Sequence, residues 1–305
     1  MNLELSSDAI EYGQSARRAF EAAGGDELVI RADADPAVRE DLVGPVLRQL
    51  GALDLRPRAD ADELEAAAAL CRSAGYCCLP YPVAECLAAP ADLDSDGLIV
   101  VDEHAPAGAV AGLDKRWVAV SVAGARSAAV VQSSVRPALE ADLRLTEIDH
   151  NGADDVALGL VLPVWTLLGM LDRAMDLTVD HVRLREQFGQ PLSSFQGVQF
   201  QLTDAEVERA GLEMLAKYAL AGFATGRPEA VDDALAARCA ALEAAEVVFR
   251  VCHQLHGAVG FCDETVLSWL SRYSQPLRRL PYGLSRTRDL LVQRAGRAGL
   301  RGLYA

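Results

Sequence analysis

The sequence predicts a mainly α-helical protein with a small β domain, and three observations carry that expectation. From residue 153 to the end, apolar residues recur at helical spacing; the first ninety residues show repeated helix start and stop signals; residues 97–149 consist of short β-branched runs between turn residues. The expected division is an N-terminal helical domain over 1–92, a reduced β domain over 93–152 and a C-terminal antiparallel helical bundle over 153–305. A chain of 305 residues with 51% hydrophobic and 24% charged residues is long and apolar enough to bury a substantial core.

In the N-terminal segment, Asp8 with Glu11 three residues on has the pattern of a capping box, and Asp35–Pro36 that of a cap with proline at the first helical position. Gly51 and Gly75 stand where helices are expected to end, which gives three helices. The block LPYPVAECL at 79–87 carries two prolines, so a turn and one further short helix are expected. The runs GLIVV, RWVAVSV, SAAVVQ and DLRLTEI then read as strands, with Val118, Val120 and Val122 alternating as on a half-buried face.

Beyond Asp154 and Asp155 the first long helix carries Val164, Leu167, Leu168, Leu171, Met175, Val179 and Val182 on one face, with Pro163 in its first turns. Its uncharged run of 16 residues at 156–171 is short for a bilayer span and reads as a buried helix. A second helix follows QPLSS, a third opens near Pro228 and stops at Gly257, and two shorter ones are expected near 264–275 and 285–297. The net charge of −15 argues against nucleic acid or an anionic membrane surface as partner. A polar, acidic N-terminus and seven cysteines without a paired framework suggest a cytoplasmic setting and reduced thiols.

The stretch CHQLHGAVGF at 252–261 is the richest in chemistry. Cys252 and His256, four apart on one helix face, have a spacing that two metal ligands use, with Cys262 nearby; no second ligand pair appears, so no metal is expected and helix-end packing is preferred. Gly257 and Gly260 suggest a helix end whose backbone comes close to a ligand.

Taken with REQFG at 185–189, PLSSFQGVQFQLTD after it, and QLHGAVGF some fifty residues later, the pattern resembles the C-terminal helical domain of the flavin-dependent acyl-CoA dehydrogenases. QLGALDL at 49–55 and the GYCCLPYPVAE segment are similar to landmarks of that family's first domain. The resemblance implies an acyl-CoA dehydrogenase-like fold. It also implies that Arg185 and Gln254, in register with Phe188, Gly189 and Gln196, reach across a subunit interface to the pyrophosphate and adenosine of an FAD held mainly by a neighbour, with Phe188, Gly257 and Ala258 beside them. A guanidinium offers a planar fork to phosphate oxygens, and an amide pairs with the polar edges of adenine or ribose. Ala258 departs from the family, which has a second glycine there. The histidines, on this reading, are spectators.

The family's chemistry requires a carboxylate to remove the α-proton of a CoA thioester, and neither of the family's positions for it holds one here. After Arg272, where Tyr273 replaces the family's aspartate, the loop RRLPYGLSR puts Pro281 or Tyr282 in that place. The other position, 26 residues before Arg185, is Gly159. No residue of this chain is therefore assigned as catalytic. The short β segment has no stretch matching the loops that enclose a flavin ring. Together these features resemble the shortened, base-less subunit of heterotetrameric (α2β2) acyl-CoA dehydrogenases of actinobacterial steroid degradation. The partners implied are a homologous catalytic subunit, a CoA thioester and an electron-transfer flavoprotein. Two alternatives remain: a self-sufficient dehydrogenase with Asp154 or Asp155 as displaced base, and a flavin-free assembly subunit.

Overall fold

The computed structural model describes residues 3–298. The N-terminal helices are α1 (Ser7–Ala22), α2 (Glu27–Ala34), α3 (Arg39–Gln49), α4 (Ala61–Tyr76) and the short α5 (Val83–Leu87). The cap of α1 is Ser6, whose hydroxyl accepts from the Ala9 amide, rather than Asp8. A hydroxyl one residue outside the helix can reach back over the first turn, whereas Asp8 already lies within it. Asp35 does cap, accepting from the Ala37 amide, and Gly51 ends α3 with φ 64°.

α4 ends one residue past Gly75, as expected, but this glycine also serves a packing contact. It lies inside α4, where a Cβ would stand 1.8 Å from the Thr166 carbonyl oxygen. On the facing helix a Cβ on Gly169 would stand 1.8 Å from the Arg72 carbonyl oxygen. These two glycines let the helix backbones cross in direct contact.

The β segment holds β1 (Gly97–Val101), β2 (Ala107–Gly108), β3 (Trp117–Ser121), β4 (Arg126–Val135) and β5 (Ala141–Asp149) in one sheet of order β1-β3-β4-β5-β2. β1 and β3 pair in parallel and the remaining pairs are antiparallel. Every residue of β3 is buried, so the half-buried face expected for Val118 and Val120 is covered on both sides, as parallel pairs usually are.

The bundle begins with α6 (Ala153–Leu184), which runs unbroken past Pro163. A tight hairpin, β6 (Glu186–Gln187) and β7 (Gln190–Pro191), leads to α7 (Gln196–Ala224) and then α8 (Ala230–His256). α9 (Val266–Tyr273), α10 (Gln275–Arg279) and α11 (Leu284–Ala298) complete the described chain. The apolar window of α6 is long enough to cross a membrane, yet 78% of it is buried, with Trp165 and Leu168 fully enclosed. It is the axis of the core.

Candidate functional site

Because α6, α7 and α8 follow one another up and down, the C-terminal ends of α6 and α8 lie side by side. His181 of α6 and His256 of α8 make the contact, their ring centroids 4.3 Å apart. Arg185 stands one turn beyond His181 as the residue that ends α6, and its amide donates to the His181 carbonyl at 2.8 Å. Its side chain is exposed and makes no ion pair or hydrogen bond among the described residues.

The hairpin after Arg185 turns through Phe188 (φ 54°) and Gly189 (φ 78°), between Gln187 and Gln190, which pair. Two successive left-handed residues make a type I′ turn, a conformation that phenylalanine rarely adopts. Phe188 is 92% exposed, and its ring meets the edge of Phe195 with centroids 6.3 Å apart. Leu184, the last residue of α6 and four residues earlier, is 83% exposed. An aromatic held in a strained turn yet left uncovered points to a surface completed by another molecule.

At the end of α8, Gln254 is exposed, Gly257 has φ 63°, and Ala258 is exposed as well. A Cβ on Gly257 would meet nothing within 4 Å, so its glycine is required by backbone conformation, and the space in front of it is open. Cys252 is buried with its thiol on the Ala174 carbonyl, and Nδ1 of His256 lies 2.9 Å from the Cys252 carbonyl oxygen. Their chemistry is turned inward onto backbone. The structure therefore brings Arg185, Phe188, Gln254, Gly257 and Ala258 to one end of the bundle, with Gln196 at the start of α7 just past the hairpin.

The two places where a base would stand converge on a second region. Gly159, Leu160, Pro163 and Pro281 line one small cavity of about 50 Å³, between α6, β1 and the loop after α10. That volume holds no more than a few waters. A Cβ on Gly159 would lie 2.7 Å from Val100 Cγ2 and 3.0 Å from Leu98 Cδ2, so β1 occupies the path of any longer side chain. On the opposite side, Arg238 donates to the carbonyls of Leu277, Leu280 and Tyr282 and so fixes the loop that carries Pro281. Burial lowers the pKa of this guanidinium to about 10.

One carboxyl lines the cavity that the sequence did not single out: Glu85, from α5. Burial raises its pKa, and the opposing pull of its own backbone amide and Arg39 is weaker. Its only trace in the sequence is its place in the PYPVAECL block, which carries no spacing rule for a base.

The two aspartates at the start of α6 differ. Asp155 is 1% exposed and lies between Arg58 at 2.8 Å and Arg126 at 2.6 Å, with Asp92 also on Arg126 at 2.7 Å. It joins the N-terminal helices, the sheet and α6, and both its oxygens are engaged. Asp154 is exposed.

Comparison with known proteins agrees with this architecture. Residues 161–281 match the model of the acyl-CoA dehydrogenase C-terminal domain. A 3-sulfinopropanoyl-CoA desulfinase from Paraburkholderia xenovorans is 37% identical over 106 residues, 34% of this chain and 26% of that protein. The matched part thus spans about a quarter of the length of the curated relative. Among solved structures, the ChsE4–ChsE5 complex from Mycobacterium tuberculosis superposes with a TM-score of 0.77 at 18% identity, covering 99% of this chain and 100% of that one. The Tcur3481–Tcur3483 steroid acyl-CoA dehydrogenase gives 0.79 at 17%, over 97% and 99%. Residues 161–281 are thus similar to that family's C-terminal domain, and the chain has the acyl-CoA dehydrogenase fold.

Proposed function

We propose that this chain is the non-catalytic subunit of an FAD-dependent heteromeric acyl-CoA dehydrogenase, in which it completes the flavin site of a homologous catalytic partner. The observation that carries the reading is the small cavity: at both positions where the family places its base, this chain has no carboxylate, and at Gly159 β1 leaves no room for one. The other end of the bundle keeps an exposed arginine, an exposed amide and an open glycine turn, the donor set that a dinucleotide requires.

In the complex, FAD would supply hydride acceptance for α,β-dehydrogenation of a CoA thioester, with an electron-transfer flavoprotein as the acceptor of electrons. Arg185 would hold the diphosphate by its planar fork, and Gln254 would pair with the adenine or ribose edge. Gly257 would let the backbone approach, with Ala258 keeping a methyl where the family has none. Phe188 and Leu184 would be covered by the partner and keep water from the diphosphate. A steroid degradation intermediate is the substrate class favoured by the heteromeric relatives, and the cytoplasm the compartment. The test is Arg185→Ala in the co-expressed complex. Flavin per complex should fall at least severalfold while the assembled mass is unchanged; equal flavin occupancy would remove the role assigned to this end of the bundle.

A further inference from the structure

Two imidazoles stack where α6 and α8 end. The His181 and His256 rings are nearly parallel, 20° apart. Nδ1 of His256 faces a carbonyl oxygen, which can only accept, so Nδ1 carries the proton and this ring is anchored to its own helix. His181 is half-buried and has no ring hydrogen bond among the described residues. The charged and titratable groups acting on His181 are His256 from α8 and Arg185 from its own helix, and no carboxylate is among them. Next along α8, His253 stacks on Phe261 at 4.3 Å and feels His256 and Arg278 of α10, again without a carboxylate. The imidazole pair thus lies one turn from an arginine that has no ion pair among the described residues.

We propose that His181 is a further residue of the nucleotide contact, which takes up a proton from solvent when a diphosphate binds beside Arg185, with His256 as its stacked and anchored support. This rests on the reading of that end of the bundle as a flavin contact. Without ligand, burial first, then His256 and Arg185, hold the His181 imidazolium below the ordinary imidazole range. An arriving diphosphate reverses the sign of the local field and favours the imidazolium. Only one of the two rings gains a proton, because two stacked cations repel. The bound-state pKa then lies above the free-state pKa, so affinity rises as pH falls through the window between them.

The test uses the complex of this chain with its catalytic partner, stripped of flavin and titrated with FAD near pH 6 and pH 8. Calorimetry in buffers of different ionisation heat counts protons. A separation of about one pKa unit gives binding at most about tenfold tighter at the lower pH, with uptake that peaks at about half a proton per flavin midway between the two pKa values. His181→Gln should lose both effects and keep affinity near pH 8 within about threefold. His181→Phe, which keeps a stacked ring without a titrating nitrogen, should behave in the same way. Uptake that persists in both variants, or affinity independent of pH in the unaltered complex, would overturn the proposal. If Arg185→Ala weakens FAD binding while the His181 variants keep their proton uptake, this inference alone falls. If Arg185→Ala changes nothing, the flavin contact falls with it.

Discussion

Replacing Gly159 by alanine tests whether the base position is closed. In an open helix Gly→Ala stabilises by about 1 kcal/mol. Here the new Cβ would lie 2.7 Å from Val100 Cγ2 and 3.0 Å from Leu98 Cδ2, both on a strand buried along its whole length. Overpacking of this kind costs about 1–3 kcal/mol, so the net expectation is a loss of roughly 1 kcal/mol rather than a gain of the same size. In thermal unfolding followed by scanning fluorimetry or calorimetry, that is a decrease of about 2–4 °C. Adding Val100→Ala to the same variant should recover part of the loss, with a coupling of about 1 kcal/mol in the double-mutant cycle. Gly159→Glu should lose more, and should bring no dehydrogenase turnover to the chain. A Gly159→Ala protein stabilised by the full helix-propensity increment would show that the position has room, and the argument for a closed site would fail.

Asp155→Ala, which removes the buried carboxylate shared by Arg58 and Arg126 and leaves them Asp92 and the Ala88 and Ala89 carbonyls, should destabilise the protein by roughly 3 kcal/mol in equilibrium denaturation, whereas Asp154→Asn should stay within about 0.5 kcal/mol. A loss of turnover from Asp155→Asn without loss of stability would favour a displaced base instead. Gly75→Ala, which drives a methyl into the Thr166 carbonyl, should cost about 3 kcal/mol or more, because backbone on both helices must move. Glu213 is raised by burial but more strongly lowered by Arg72, Lys217 and Arg209, and its pKa falls to about 2. A folded-state pKa below the unfolded value of 4.5 contributes stability above that value and loses it as pH falls toward 2. Burial shifts neighbouring Asp172 upward, which opposes this trend. Glu213→Gln should therefore flatten, without abolishing, the acid limb of a stability-against-pH curve.

Much of the fold was legible because it is written in local periodicity. The apolar face of α6, the β-branched runs of β1 and β3, and the stop at Gly257 follow from the chain's own spacing. What escaped was set by distant neighbours. Gly75 stands at the expected helix end, but its close contact with Thr166, ninety-one residues later, has no local signal. Asp155 looks like a dipole-complementing first-turn acid, yet Arg58 and Arg126 arrive from other parts of the chain to fix it. That no carboxylate stands at Gly159 or Pro281 was readable from the letters, whereas the crowding at Gly159 comes from Leu98 and Val100. Glu85 became visible only once α5 was placed against the same cavity. The left-handed conformation of Phe188 had a weak signal, the glycine that follows it, but its exposure had none.

The central claim concerns what the chain holds by itself and what it completes in company. The most direct measurement is the visible absorption spectrum and solution mass of this chain purified alone, and then purified with its catalytic partner. The account predicts a lone chain without flavin absorbance and a yellow α2β2 tetramer with about two flavins per four chains. A lone chain that is already yellow, and that bleaches when an acyl-CoA is added, would contradict it.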